Sequence, residues 1–386
     1  MVRCVGAQSC RFRSKLIHKE SSPHVLLCYI NRVASRAQPP CASLCTIFSA
    51  FLLTADSFFC ASRLAAQTPP RPAPLRRAVI IDTDASADDL MAIAFLLSRS
   101  DIRVEAITIV NGMSHVPAGG RNVLRMLALA DRNDIPVYLG RSTPLFGNQE
   151  FPAEWRAASD DLAGIDWPVA KRSVEQPDAA DFLVKRLLDG AHPVQVLALG
   201  PLTNLAEAFS HTPRAARTVR QLVIHGGAVG VSGNLGDVRT FQTDNISAEW
   251  NMFIDPGAAK IVFTSGAPIR LVPLDATQRV PIDMALLEQF KSRAGTPLAK
   301  FVAQRLARSR DEIRQGYFFA GDSLAAAVLA NPAVVSFRPL TIEISDKPSE
   351  LGRTLQVNSR RFNAQVAMDA DPLRFRDVFM TAFGVK

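Results

Sequence analysis

The chain has 386 residues, of which 48% are hydrophobic, and a formal net charge of +8. This length allows one large domain or two ordinary ones with a sizeable core. The basic residues are scattered and form no blocks, which argues against a nucleic-acid partner. After residue 78 no apolar run is long enough to span a membrane.

The cysteines set the first part of the chain apart from the rest. All six lie in the first 60 residues, so the remainder can hold neither a disulfide framework nor a cysteine-based zinc site. The stretch ASLCTIFSAFLLTADSFFCASRLAAQ is apolar, with arginines upstream and small residues at its end. These features are typical of a secretory signal with a cleavage site near Ala66.

We therefore predict a signal-like targeting and linker segment over residues 1–77, ending in the proline-rich QTPPRPAPLRR, and a single domain over residues 78–386. A cleaved signal peptide predicts an exported or periplasmic protein. An uncleaved anchor and a spurious translation of this stretch stay open as alternatives, and a spurious stretch would predict a cytoplasmic protein.

From residue 78 onward, apolar strands alternate with amphipathic helices. In chain order the main predicted elements are the strand AVIID, the helix DDLMAIAFLLSR, the strand VEAITIV, the helix GGRNVLRMLALA, the strand IPVYLG, the helix DAADFLVKRLLDGA, the strand VQVLALG, the helix PLTNLAEAF, and the strands QLVIHGG and IRLVPL. In the first helix, the spacing predicts that Met91, Ala94, Phe95 and Leu97 face inward. Asp178 is predicted to open the third helix.

Repeated strand–helix units with near-continuous apolar strands predict an α/β fold. Its centre would be an open, mostly parallel, doubly wound (Rossmann-like) sheet with helices on both faces. In such sheets the functional site lies beyond the carboxyl ends of the strands.

Four aspartates crowd the loop after the first predicted strand: Asp82, Asp84, Asp88 and Asp89. Like charges this close raise each other's pKa unless a cation intervenes, and a hard divalent ion with oxygen ligands is the natural cation. Helix capping by Asp88, with Asp89 in the first turn, is a simpler interpretation. Because capping explains neither Asp82 nor Asp84, we predict a metal site here.

The pattern DxDxxxDD after an apolar strand resembles the signature of the calcium-dependent nucleoside hydrolases, the inosine-uridine-preferring family. That family usually reads DxDPGxDD, and Ala85 and Ser86 replace its Pro-Gly here. Similar blocks follow in the family's order: ALGPLTNLAEA, AEWNMFIDPGAA, VPLDAT and GDSLAAAVL. The resemblance runs from about residue 78 to the end. It implies the nucleoside hydrolase type of this fold, and an enzyme of nucleoside salvage that hydrolyses the N-glycosidic bond of ribonucleosides to ribose and free base.

The resemblance also implies a role for each matching residue. Calcium (Ca2+) would be held by Asp84, Asp89, Asp322 and the backbone carbonyl of Leu199, with Asp82 orienting these ligands from behind. Asp84 would be the general base that takes a proton from water. The ribose would be bound by Asp88, Glu249, Asn251 and an upstream asparagine. Asn234 and Asn245 compete for that last role, and the family's Gly-Asn pattern favours Asn234.

Two departures concern the leaving base. Gly321 replaces the histidine that the family has before its late aspartate, so the group that protonates the base stays open. His225 is one candidate, although a core or loop histidine is the simpler interpretation. Trp155, Trp167 and Trp250 are the only tryptophans. Purine-specific relatives stack the base between tryptophans, so we expect a purine preference, although Trp155 and Trp167 could simply pack a surface loop.

Two other functions stay open at this point. The missing histidine would suit a non-catalytic protein that binds ribosyl ligands. A magnesium-dependent DxD-type phosphatase would use Asp82 as its nucleophile, but its motif does not include the Asp88–Asp89 pair or the later blocks. The expected partners are a small-molecule nucleoside and further copies of the chain, since relatives are commonly dimers or tetramers. We expect no nucleic acid and no stable membrane span in the main domain.

Overall fold

The computed structural model describes residues 76–162, 165, 167–190, 192–237 and 241–385. The predicted targeting and linker segment therefore lies outside the described residues, except for Arg76 and Arg77. The first strand begins at Arg77, one residue before the predicted start of the domain. None of the helices in these ranges is both long and apolar enough to cross a membrane.

A sheet of nine strands forms the centre of the described chain. The strands are β1 (Arg77–Thr83), β2 (Ile102–Ile109), β3 (Val137–Leu139), β4 (Gln195–Ala198), β5 (Gln221–His225), β6 (Ile269–Val272), β7 (Val335–Ile344), β8 (Thr354–Val357) and β9 (Ala364–Ala370). Their order across the sheet is β3-β2-β1-β4-β5-β6-β9-β7-β8. Neighbours from β3 to β9 are parallel, whereas β7 is antiparallel to both β9 and β8. The prediction of a mostly parallel sheet is confirmed, and the antiparallel edge was not predicted.

Fourteen α-helices occur in the described residues. They are α1 (Ala87–Leu97), α2 (Val116–Leu129), α3 (Ala153–Asp161), α4 (Ala179–Leu188), α5 (Thr203–His211), α6 (Pro213–Thr218), α7 (Trp250–Ile254), α8 (Pro256–Thr264), α9 (Leu274–Thr277), α10 (Met284–Arg293), α11 (Pro297–Arg308), α12 (Arg310–Gln315), α13 (Asp322–Ala330) and α14 (Pro372–Ala382). They cover both faces of the sheet, as predicted. Val79 and Ile81 of β1 join an apolar core with α1, α2, α10, α11, α13 and α14, while Ile80 joins a second core with α4, α5, α6 and α8.

Two helices differ in detail from the prediction. Helix α1 packs against α13 and α11 and is buried from Asp89 to Leu96, so it has no single inward face, and Leu97 is only half-buried. Helix α2 begins at Val116, before the two glycines that were expected to open it. Gly120 lies inside the helix, where α2 packs closely on β3. A Cβ at this position would come 2.7 Å from the Leu139 side chain of β3.

The carboxyl ends of the central strands bring the acidic loop to one edge of the sheet. β1 lies between β2 and β4, where the strand order reverses, and this is the usual site position in doubly wound sheets. The Leu199 amide donates to the Asp82 carbonyl at 2.9 Å, which places the residue after β4 beside the end of β1. The start of α13, at Asp322, lies at the same edge of the sheet.

Candidate active site

A cavity of about 250 Å³ opens at this edge of the sheet. Eight of the ten residues identified from the sequence line it: Asp84, Asp88, Asp89, Leu199, Asn234, Glu249, Asn251 and Asp322. Asp82 and Asn245 are not among its lining residues. The remaining wall comes from residues that were not assigned to the site or were assigned only as alternatives, namely Ser86, Met113, Phe151, Trp155, His225 and Trp250.

The acidic loop is shaped by a serine. Ser86 Oγ accepts hydrogen bonds from the backbone amides of Asp88, at 3.2 Å, and Asp89, at 3.3 Å, and so caps α1. The same hydroxyl donates to Asp89 Oδ2 at 2.6 Å. Ala85, just before it, has a left-handed φ of 57°. The interpretation in which Asp88 caps the helix is therefore wrong, because Ser86 takes that position and leaves the Asp88 carboxylate at the cavity.

Asp84 is held rigidly in the wall of the cavity. It is 3% exposed, and its Oδ2 accepts a hydrogen bond from the Met113 amide at 2.9 Å. Gly112 and Gly200 pack directly on it, because a Cβ at Gly112 would come 2.3 Å from Asp84 Oδ2 and one at Gly200 2.9 Å from Asp84 Cβ. Burial, and then the charge of Asp89, raises the pKa of Asp84 well above its ordinary value.

Asp89 and Asp322 complete a group of three buried acids with Asp84. Asp89 accepts hydrogen bonds from the hydroxyls of Thr83 and Ser86, and burial nevertheless raises its pKa. Asp322 Oδ1 is buried and has no hydrogen-bond partner in the described structure. Burial, followed by the charges of Asp89, Asp88 and Asp84, raises the pKa of Asp322 well above its ordinary value. Three carboxyl groups are thus kept close together at a high electrostatic cost.

Another part of the cavity wall is formed by Glu249, Trp250 and Asn251. Asn251 Nδ2 donates to the Leu199 carbonyl at 2.8 Å and to the His225 carbonyl at 3.3 Å. Glu249 caps the short helix α7 through the amides of Asn251 and Met252, and its Oε2 also accepts from the Gly227 amide at 2.8 Å. These bonds fix both side chains, and each keeps further acceptor positions for a ligand.

The structure separates the two competing asparagines. Asn234 lines the cavity, and its Oδ1 accepts from the Trp250 amide at 3.1 Å. Asn245 lies outside the cavity and is 5% exposed. Its Nδ2 donates to the Leu351 carbonyl, and its Oδ1 accepts from Ser247 and Ala248. With its hydrogen-bonding groups committed to the loop, Asn245 has no contact with the cavity in this structure.

Asp82 lies behind the cavity. Its Oδ1 accepts from Thr108 Oγ1 at 2.6 Å and from Asn204 Nδ2 at 2.8 Å, while its Oδ2 has no partner among the described residues. Burial raises the pKa of Asp82 to about 6, although the two hydrogen bonds act in the opposite direction. Asp82 thereby ties β1 to β2 and to the start of α5, and its role in orienting metal ligands stays a prediction.

His225 fills the space beside Gly321. A Cβ at Gly321 would come 3.1 Å from His225 Nε2, and the same nitrogen lies 3.8 Å from Asp322 Oδ1. His225 Nδ1 lies 3.2 Å from the Val272 carbonyl, so this nitrogen carries the proton in that hydrogen bond. The glycine and the histidine are therefore sterically complementary, and the imidazole belongs to the cavity wall.

Aromatic rings form one side of the cavity. Phe151 stacks on Trp250 with centroids 5.0 Å apart, and Trp155 on α3 lies 5.7 Å from Trp250. All three rings line the cavity. Trp167 does not, since it packs on Phe301 of α11, 5.3 Å away. The surface-loop interpretation is therefore wrong for Trp155, which lies at the cavity.

The cavity thus combines clustered carboxyl groups, a carbonyl, amide side chains and aromatic faces. Oxygen ligands for a hard cation are present in the three buried aspartates and the Leu199 carbonyl. Within the described ranges, no three His, Cys, Asp or Glu side chains have the spacing of a preassembled metal site. The metal assignment therefore stays a prediction at this point.

Comparison with known proteins identifies the family. The sequence profile described as inosine-uridine preferring nucleoside hydrolase matches residues 79–377. The chain is 35% identical over 231 residues to a protein named pyrimidine-specific ribonucleoside hydrolase RihA from Enterobacter sp. (strain 638), covering 59% of this chain and 69% of the relative.

Two solved structures share the fold. The plant nucleoside hydrolase PpNRh1 superposes with a TM-score of 0.72 at 29% identity, covering 80% of this chain and 99% of that one. A purine-preferring ribonucleoside hydrolase from Gardnerella vaginalis superposes with a TM-score of 0.67 at 26% identity, covering 80% and 98%. With the profile matching nearly all of the domain, and four of the five sequence blocks contributing residues to one cavity, the chain belongs to the inosine-uridine preferring nucleoside hydrolase family.

Proposed function

We propose that this protein hydrolyses the N-glycosidic bond of ribonucleosides to ribose and free base. The observation that carries the proposal is the single cavity that brings Asp84, Asp89 and Asp322 together with Glu249 and Asn251. Cleavage of this bond passes through a ribosyl cation of oxocarbenium character. Carboxylates around the sugar stabilise such a cation, and family membership supports the same reaction.

We further propose that the cofactor is Ca2+, held by the carboxylates of Asp84, Asp89 and Asp322 and by the Leu199 carbonyl. The donor set fits a hard cation because every ligand is an oxygen. Asp322 Oδ1, buried and without a hydrogen-bond partner, supports the assignment. A divalent ion would also offset the repulsion that raises the pKa of these acids. When bound, calcium supplies positive charge that orients the sugar hydroxyls and makes a neighbouring water easier to deprotonate.

Asp84 is the proposed general base. The Met113 amide and the close packing of Gly112 and Gly200 hold its carboxylate, so its orientation in the cavity is fixed before substrate binds. Burial raises the pKa of Asp84 in the metal-free cavity, and a bound cation would lower it again. The carboxylate would then be ionised and able to accept a proton from water.

The sugar would be held by Asp88, Asn234, Glu249 and Asn251. Their carboxylate and amide oxygens accept hydrogen bonds from ribose hydroxyls, and the amide groups can also donate. All four line the cavity, and hydrogen bonds to the backbone already orient Asn234, Glu249 and Asn251.

We also propose a purine preference. The rings of Phe151, Trp155 and Trp250 give one side of the cavity an aromatic surface. Stacking of a base on such a ring contributes about 1–3 kcal/mol, and a purine offers the larger face. Family membership leaves the question open, since one relative is named pyrimidine-specific and a structural neighbour purine-preferring.

The test is reducing-sugar release from inosine, adenosine, guanosine, uridine and cytidine by the wild type and by Asp84→Ala. We expect release from the three purine nucleosides to be faster, and kcat of Asp84→Ala to fall at least about 100-fold with an unchanged circular dichroism spectrum. Asp377→Ala, at an exposed position of α14, is the control. Full activity of Asp84→Ala would remove the base assignment, and faster release from uridine and cytidine would remove the purine preference.

Two further measurements, of inosine binding and of phosphate release, separate the two alternatives. A non-catalytic binder would bind inosine without releasing ribose. A phosphatase would release inorganic phosphate from a phosphorylated substrate, a reaction to which family membership lends no support.

A further inference from the structure

Arg305 of helix α11, far from the acidic loop in sequence, contacts an aspartate of the cavity wall. Its Nη2 donates to Asp88 Oδ1 at 2.8 Å, and its Nη1 donates to Ser309 Oγ at 2.7 Å. The guanidinium also lies over the ring of Phe318, 5.1 Å from its centroid. Three contacts therefore fix a cation, only 14% exposed, against one carboxylate of the cavity wall.

This pair stands out among the charges of the site. Within the described part of the chain, Arg305 is the one lysine or arginine that forms an ion pair with any of the cavity aspartates, Asp84, Asp88, Asp89 and Asp322. The partner it selects is the most exposed of the four. A guanidinium is costly to bury and is retained where it holds an anion in a defined geometry.

Asp88 needs such a partner. It lies in the first turn of α1, its amide rather than its carboxylate takes part in the Ser86 cap, and its side chain is 39% exposed. An exposed carboxylate without a partner samples several rotamers and loses that freedom when a ligand binds. Arg305 removes this freedom beforehand, and the carboxylate keeps acceptor positions for a ligand.

We infer that Arg305 is a positioning residue: it holds the Asp88 carboxylate in the orientation that accepts a hydrogen bond from a ribose hydroxyl, and so sets the affinity of the cavity for the sugar. The inference rests on the proposed function, because it takes a ribonucleoside as the ligand. If the pair only joined α1 to α11, its loss would change KM equally for every substrate. If it positions Asp88, its loss raises KM only for substrates that carry the hydroxyl that Asp88 binds.

The test compares Arg305→Gln with the wild type on inosine and on its 2′-deoxy, 3′-deoxy and 5′-deoxy analogues. We expect KM for inosine to rise about 10- to 100-fold, the effect of losing a hydrogen bond between charged groups, with a much smaller change in kcat. For one of the three analogues the rise in KM should disappear, because that analogue lacks the hydroxyl that Asp88 binds. Arg308→Gln, at an exposed position of the same helix, is the matched control and should behave as the wild type.

Two further comparisons keep the inference falsifiable. In an Asp88→Asn background, Arg305→Gln should raise KM little further, since the two residues act as one unit. Arg305→Lys keeps the positive charge but loses the planar guanidinium that donates to both Asp88 and Ser309. We expect a smaller rise in KM than in Arg305→Gln, with the same dependence on the deoxy analogue. Arg305→Lys serves as the test variant if Arg305→Gln does not fold.

An unchanged KM in both Arg305 variants would overturn the inference, and so would a rise that is equal for inosine and all three analogues. Ribose release by the wild type, together with such a result, would leave the proposed function intact. No ribose release by the wild type from any nucleoside would instead overturn the proposed function and the inference with it.

Discussion

Replacing Asp82 with asparagine should stabilise the protein at neutral pH. The carboxyl group is fully buried, and both of its hydrogen bonds, from Thr108 Oγ1 at 2.6 Å and Asn204 Nδ2 at 2.8 Å, end on Oδ1. The carbonyl oxygen of an asparagine can accept the same two bonds. Burial raises the pKa of Asp82 from 3.8 to about 6, so the folded protein disfavours the ionised form that predominates in the unfolded chain.

The sign and size follow from this difference. A carboxyl group whose pKa is higher in the folded state stabilises the fold most below its ordinary pKa of 3.8, and that contribution is lost as the pH rises through about 6. The gap between the two values corresponds to about 3 kcal/mol at 1.36 kcal/mol per pKa unit. An asparagine does not ionise, so Asp82→Asn should exceed the wild type in free energy of unfolding by up to about 3 kcal/mol above pH 6 and by much less near pH 4.

The assay is guanidinium-induced unfolding between pH 4 and pH 8 in the presence of a chelator, so that metal binding does not contribute. Asp377→Asn, at an exposed position of α14, is the control and should follow the wild-type curve. A variant whose free energy of unfolding runs parallel to that of the wild type over this range, or falls below it at pH 8, would refute the reasoning.

Three further predictions concern the contact between Gly321 and His225, the anchoring of helix α3, and the metal. Gly321→His should lower the free energy of unfolding by about 1–3 kcal/mol, because its Cβ would meet His225 Nε2 at 3.1 Å; adding His225→Ala should recover most of that loss in chemical unfolding. Asp160→Ala should loosen α3, since Asp160 accepts from the amide and Nδ1 of His115 at 2.8 and 2.6 Å; we expect a loss of about 1 kcal/mol and faster amide exchange across residues 153–161. Calcium at 100 times its dissociation constant should add about 2.7 kcal/mol of stability, measured as a higher Tm that a chelator reverses.

Each of these has a contrary result. An additive Gly321 and His225 double variant would show that the two positions do not compete for space. Exchange in α3 that is unchanged by Asp160→Ala would show that the His115 contact does not anchor the helix. A Tm that no divalent ion changes, or an Asp322→Asn variant that gains as much from calcium as the wild type, would contradict the proposed ligand set.

The parts of the fold and site that the sequence predicted are those fixed by short stretches of chain. The apolar strands that directly precede Asp84 and Leu199 are local features, and the rule for parallel sheets brings their carboxyl ends together. The helix cap at Asp178 could be predicted for the same reason, since its side chain accepts a hydrogen bond from the nearby amide of Asp181.

The rest depends on contacts between distant segments. Arg305 meets Asp88 across 217 residues, and no spacing rule connects them. Asn234 and Asn245 both suited the sugar, and only the loop's own hydrogen bonds separate them. Phe151 joined the aromatic side unpredicted because its partner, Trp250, comes from a different part of the chain.

The two glycines of α2 and the edge strands show the same limit. Glycine usually weakens a helix interior, so Gly119 and Gly120 suggested a helix start. Close packing outweighs that preference: Gly119 lies against Ala85 and against Ile109 of β2, and Gly120 lies against Leu139 of β3. The antiparallel pairing of β7 depends on its neighbours β8 and β9, which come later in the chain. A strand exposed on one face also lacks the continuous apolar run by which the buried central strands were predicted.

The most direct test of the account is chromatography of the products formed from inosine by the full-length protein, with calcium and with excess chelator. The account predicts hypoxanthine and ribose in equal amounts with calcium, and little of either with the chelator. Intact inosine under both conditions would contradict the central claim, which is that the cavity of buried aspartates cleaves the N-glycosidic bond of a ribonucleoside.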